Sequence, residues 1–124
     1  MNVIEVKTYC ISLPESSEEF PFGEDINVFM IKGKMFGLLT HKDGVDRINL
    51  KADPDESIVL RKIYDSVIPG YHMNKTHWNT VLLDESVPSE EIEGMIDNSY
   101  DLVIKNLKKS DQLALKLRHK YYGS

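Results

Sequence analysis

The segment Pro69-Gly70-Tyr71-His72-Met73-Asn74-Lys75-Thr76-His77-Trp78-Asn79-Thr80-Val81 holds the chain's densest set of side chains able to do chemistry. Two histidines, a lysine, a tyrosine, a tryptophan and several amide or hydroxyl groups follow a Pro-Gly turn. Packing alone does not need so many polar groups beside so many aromatics. Imidazole titrates near neutrality and can meet a phosphate or another ligand. Tyr71 and Trp78 offer ring faces for stacking on a base or an aromatic ligand. His72 and His77 stand five apart, but zinc needs a third ligand and an acceptor behind each imidazole. No helical His pair of the HxxxH or HExxH kind exists, and His41 and His119 are distant in sequence. No metal site is expected.

The basic residues upstream extend this set. In the run Val45 to Lys51, Arg47, Asn49 and Lys51 alternate onto one side, while Ile48 and Leu50 take the other. The reading is one buried face and one wet, basic face. With Lys34 and Lys75, these groups suit phosphates held along an open sheet face. The same lysines would also guard an exposed strand against aggregation, and aromatics often anchor a core by the ring alone. The candidate nucleic-acid or ligand-binding residues are therefore Lys34, Arg47, Asn49, Lys51, Tyr71, His72, Asn74, Lys75, His77 and Trp78. They are expected to form one continuous surface beside the sheet.

No catalytic constellation accompanies them. Cys10 lies on the apolar stripe of an expected helix, with no adjacent basic group to lower its pKa. Glu90, Glu91, Glu93, Asp97 and Asp101 make an acidic ridge, which reads as a solvated helix face. There is no glycine-rich phosphate loop, no nucleophile elbow and no carboxylate pair with a defined role. No enzyme activity and no cofactor is expected.

The elements that must position these residues follow from capping and turn signals. Asn2 and Glu5 form a capping box, and Val3, Val6, Cys10 and Leu13 recur at helical spacing, so a helix is expected over residues 3–12. Glu18 to Phe22 reads as a short edge strand interrupted by Pro21. Three strand-like runs follow, Asn27–Lys32, Met35–His41 and Val45–Lys51, joined by Lys32-Gly33-Lys34 and by the hairpin signal Asp43-Gly44. Together they make an antiparallel meander.

Asp53-Pro54-Asp55-Glu56 opens a second helix: Asp53 caps, Pro54 takes the first turn and Glu56 completes the box. Its expected apolar side is Ile58, Val59, Ile63 and Tyr64, and it is expected to end near Ser66. A strand is expected from about Trp78 to Leu83, and a third helix starts at Pro88. Its stripe is Ile92, Met95, Ile96, Ser99, Val103 and Leu107. Ser99 is expected to allow close packing or to bond back to its own helix. A last helix begins at Ser110-Asp111, with Leu113, Leu117 and Tyr121 on one side. This order predicts an α+β fold, an antiparallel sheet with helices packed on one face.

Composition sets the outer limits. A chain of 124 residues, 41% hydrophobic and 28% charged, suits one domain over residues 1–124. No apolar run of about 18 residues spans a membrane, and the first residues lack a signal peptide's basic start and apolar core. With a single cysteine, a cytoplasmic location is expected. The net charge is −5. Residues 81–104 carry seven acids and no base, whereas residues 31–80 carry eight bases against six acids. Phosphate neutralisation drives nonspecific nucleic-acid binding, so the acidic total opposes it, although a local basic face can still serve.

The polar–aromatic segment, together with Lys34-Met35-Phe36, Asn49-Leu50-Lys51 and Ser99-Tyr100, resembles the MmcQ/YjbR family of small bacterial proteins. The resemblance is strongest over residues 3–107. It implies a frataxin/CyaY-like two-layer architecture and a DNA-binding module that uses the basic sheet face and the 69–81 segment. The alternative is an adaptor for a protein or small ligand, with no nucleic-acid role. A monomer is expected.

Overall fold

In the computed structural model, residues 1–70 and 73–118 are described. The order among them is α1 (Val3–Ser12), β1 (Ser16–Glu19), β2 (Asn27–Ile31), β3 (Lys34–Lys42), β4 (Val45–Lys51), α2 (Pro54–Ile63), β5 (Val67–Pro69), β6 (Trp78–Leu82), α3 (Ser89–Lys105) and α4 (Lys109–Arg118). The strands form one antiparallel sheet in the order β1-β2-β3-β4-β6-β5. The fold is α+β, as its turns and caps dictate. Asp43 and Gly44 both take positive φ, 54° and 77°, which matches the right-handed twist of β3 and β4. Asn2 closes a complete capping box with Glu5 at the start of α1.

One sheet face carries the core. Phe29, Phe36, Leu39, Ile48, Leu50 and Val81 meet Ile92, Ile96, Tyr100 and Ile104 of α3, with Val6 and Cys10 of α1 and Leu115 of α4. The Phe36 ring meets the Tyr100 ring edge-on at 5.4 Å between centroids. The Tyr9 hydroxyl donates to Asp97 Oδ1 at 2.7 Å and ties α1 to α3. Burial first, and then the Asp97 carboxylate, push the Tyr9 pKa up. Burial pushes the Cys10 thiol up to about 12, so it packs as a small hydrophobe.

The structure corrects several expectations. The edge strand runs over Ser16–Glu19, ahead of Pro21, because the Phe20–Gly23 turn takes over the later residues. The helix α2 stops at Ile63, with Tyr64 as its C-cap. Three of its four expected apolar residues point outward, with Ile58, Val59 and Ile63 at 51%, 53% and 60% exposed; Tyr64 does pack against the core, beside the inward-facing Ser57 and Leu60. In α4, Leu115 is buried while Leu113 and Leu117 are exposed; Tyr121 lies outside the described residues. The short strand β5 was not expected from the sequence. Ser99 does not bond back to its helix; it bonds to the sheet.

Asp53 caps α2 by accepting from Asp55 N–H at 3.0 Å, and Pro54 follows in the first turn. Replacing Asp53 with Ala is expected to destabilise the fold by about 1 kcal/mol. A urea midpoint equal to the parent's would exclude this capping role.

Candidate functional site

The second sheet face is built by side-chain alternation. Val28, Leu38, Asn49, Thr80 and Ile68 oppose one another across five strands, from β2 to β5. This face was expected to be wet and basic, and the structure corrects that. Val28 is fully buried, and Asn49 and Thr80 are 5% and 0% exposed. Asn49 is satisfied from within: Nδ2 donates to the Leu38 carbonyl at 3.1 Å and to Thr40 Oγ1 at 3.2 Å, and Oδ1 accepts from Thr80 Oγ1 at 2.6 Å. A buried amide without partners would cost roughly 1–3 kcal/mol, so this network fixes the register of three central strands.

Above that network lies a crevice of about 620 Å³. Phe22, Ile26, Met35, Leu38 and Met73 supply apolar walls. Thr40, Arg47, Asn49 and Thr80 supply the polar floor, and His41 and Lys42 stand at one side. The His41 Nδ1 lies 2.7 Å from Asp46 Oδ1, so that carboxylate is engaged away from Arg47.

A second hollow of about 460 Å³ lies at the end of the β4–β6 pair, where Lys51 opposes Trp78. Its lining includes Lys51, Asp53, Asn74, His77 and Trp78, together with Leu102 of α3 and its C-cap Asn106. The loop here is shaped by Asn74. Its side chain accepts from Thr76 N–H at 2.9 Å, and its carbonyl accepts from the amides of His77 and Trp78. Ala52 N–H donates to the His77 carbonyl at 2.8 Å and docks the loop on the start of α2. Arg61 reaches across from α2. Its Nε donates to Asn79 Oδ1 at 2.8 Å, and Nη2 donates to the carbonyls of Lys75 and Trp78.

The candidate residues are thus divided. Arg47 and Asn49 line the crevice, and Lys51, Asn74, His77 and Trp78 gather at the second hollow. Lys34 stands at the β2–β3 turn opposite Ile31 and lines neither space. Lys75 is exposed in the loop, with its carbonyl held by Arg61. Tyr71 and His72 lie outside the described residues.

Sequence reasoning missed Phe22, Ile26, Met35, Leu38, Thr40, Met73, Thr80 and the loop clamp Arg61. Leu38 and Thr40 share a side of β3, so strand alternation was the signal that could have found them. No local signal marked Phe22 or Met73, because their place depends on two connections folding over the sheet. Among the described residues, no three His, Cys, Asp or Glu side chains gather as a metal site. No described helix is long and apolar enough to cross a membrane.

Relatives agree with this architecture. A Deinococcus radiodurans protein with the domain DUF419 is 37% identical and superposes with a TM-score of 0.84, over 92% of this chain and 87% of that one. A Pseudomonas syringae protein is 31% identical with a TM-score of 0.73, over 82% of this chain and 98% of that one. YbdF of Escherichia coli O157:H7 is 42% identical over 86% of this chain and 87% of its own length. YyaQ of Bacillus subtilis is 36% identical over 73% of each. The YjbR family model matches residues 11–102, and the chain belongs to the YjbR family.

Proposed function

We propose that this protein binds a small ligand in the crevice on the open sheet face. One observation carries the reading: a cavity of about 620 Å³ with largely apolar walls meets the side chains of Arg47, Thr40, Asn49 and Thr80 at its floor. Few polar groups set within apolar walls are what orient a small molecule. The Asn49 network holds the floor in place, which supports a site that needs little ordering on binding. A small ligand present at a hundred times its Kd stabilises the native state by about 2.7 kcal/mol. For a domain of this size, that raises Tm by about 10 °C. A thermal-shift screen of small amphiphiles should therefore give hits whose amide NMR shifts cluster at Leu38, Asn49 and Thr80. Hits that instead perturb only residues far from the crevice would defeat the reading.

The nucleic-acid reading draws on the second hollow. There Lys51 and His77 stand beside Trp78, with Lys75 in the adjoining loop. A cation beside an aromatic ring suits a stacked base and its phosphate. In that reading each neutralised phosphate adds about −0.9 to the salt slope. Changing Lys51 and Lys75 together to Ala should flatten the slope by about two units. DNA binding that is undetectable at low salt would remove this reading and leave the first intact.

A further inference from the structure

We propose that the ligand of the crevice is an amphipathic carboxylate, its single negative charge held by Arg47 and its apolar body lying against Phe22, Ile26, Met35 and Leu38. The inference rests on the reading of the crevice as a ligand site and adds the ligand's chemical class. Asn49 spends both Nδ2 hydrogens on the Leu38 carbonyl and Thr40, and its Oδ1 is taken by Thr80. The amide therefore serves the fold and has no donor left for a ligand.

Arg47 differs. Its Nε is buried and has no hydrogen-bond partner, while Nη2 reaches only the Lys42 carbonyl, at a long 3.4 Å. Among the described residues, no carboxylate lines the crevice or pairs with Arg47. The neighbouring Asp46 is engaged by His41.

A guanidinium cannot shed its charge by losing a proton, so an unpaired buried donor on it is costly. An acceptor bearing negative charge offsets that cost best, because charge-assisted bonds are the strong ones. The accessible end of the half-buried Arg47 guanidinium, with its two Nη groups, matches a planar carboxylate in shape. One such end suits one negative charge. The apolar walls then require the remainder of the ligand to be hydrocarbon or aromatic, since they would strand a polar body without partners.

The test uses the full chain, ¹⁵N-labelled, titrated separately with octanoate and with 1-octanol. The two probes share a chain length and differ in the charge of the head. Both are expected to shift the amides of Leu38, Asn49 and Thr80, with octanoate binding at least ten-fold tighter. Arg47→Met should remove the preference for the charged head, so that the ratio of octanoate to octanol affinity falls to about one. Should that variant fail to fold, Arg47→Gln gives the same comparison with a polar side chain. Equal affinities of the two probes for the parent would overturn the carboxylate assignment and leave the crevice as a ligand site. If neither probe moves the crevice amides but other molecules from the amphiphile screen do, the assignment again falls alone. If nothing moves them, the proposed site falls with it.

Discussion

Replacing Ser99 with Ala is expected to destabilise the protein by about 3 kcal/mol, as the sum of two orphaned backbone groups. Ser99 is fully buried on α3. Its hydroxyl donates to the Phe36 carbonyl at 2.5 Å and accepts from the Lys51 N–H at 2.9 Å. The need for it arises in the sheet. The register between β2 and β3 shifts beyond Phe29, so that Phe29 opposes Gly37 and Met30 opposes Met35. Phe36 is left without a partner on β2. On the other side, the β3–β4 ladder ends at Gly37 and Leu50. Ser99 fills the next rung and bridges the two strands from the helix above. With Ala, the buried Phe36 carbonyl and the part-buried Lys51 N–H both lose their partner, at roughly 1–3 kcal/mol each. Urea denaturation should show the loss as a lowered midpoint with an unchanged m-value. The Lys51 amide should also exchange faster than its neighbours. A midpoint within error of the parent's would mean that water or a strand shift replaces the hydroxyl.

That bridge shows where reading the sequence stops short. Asp43-Gly44, Asn2 with Glu5 and Asp53-Pro54 are local signals whose partners lie within a few residues, and each produced its expected element. The three meander strands followed from alternation between such turns. Ser99 meets Phe36 across 63 residues and Lys51 across 48, and no spacing rule links those positions. The helix α2 failed for a related reason. Its i, i+4 apolar pair Val59 and Ile63 satisfies the helical pattern, yet the pattern does not say which side faces the core. Arg61 bonds Asn79, Lys75 and Trp78, and that set of bonds orients the helix.

The site was half legible on the same grounds. Alternation in β4 placed Arg47 and Asn49 on one side, and the structure keeps them there. It was silent on what covers that side. Phe22 and Met73 come from the β1–β2 and β5–β6 connections, and their arrival turns an open basic strip into a crevice lined by one guanidinium whose Nε has no partner. The 74–78 loop was legible in composition but not in shape. Its Asn74 turn and its Arg61 clamp draw His77 and Trp78 to the end of the sheet, beside Lys51 and apart from Arg47.

Gly70→Ala should carry the second large effect, about 2 kcal/mol, and should be visible in the light emitted by Trp78. The Gly70 N–H donates to the Trp78 carbonyl at 2.9 Å, which draws the two backbones close where the 69–81 segment begins and ends its excursion. A Cβ at position 70 would stand 2.8 Å from Trp78 Cβ, 3.0 Å from its carbonyl oxygen and 3.2 Å from its carbonyl carbon. These are atoms of the main chain and its first branch, so they cannot swing aside as a side-chain tip would. Relief requires the strand end to move, and such overpacking typically costs about 1–3 kcal/mol.

Gly94 supplies the control. It sits in α3, and an added Cβ there meets nothing within 4 Å. Gly94→Ala should gain about 0.5–1 kcal/mol from helix propensity. The same chemical change thus carries opposite signs at the two positions. Trp78 is the chain's one tryptophan, so its emission reports the second hollow without interference from another indole. The Gly70 variant should shift that emission in the folded state as well as lower the urea midpoint, whereas the Gly94 variant should raise the midpoint and leave the emission alone. A Gly70 variant as stable as the parent, with unchanged emission, would show that the 69–81 segment yields freely at its base. The hollow would then not be held in one shape by its own backbone.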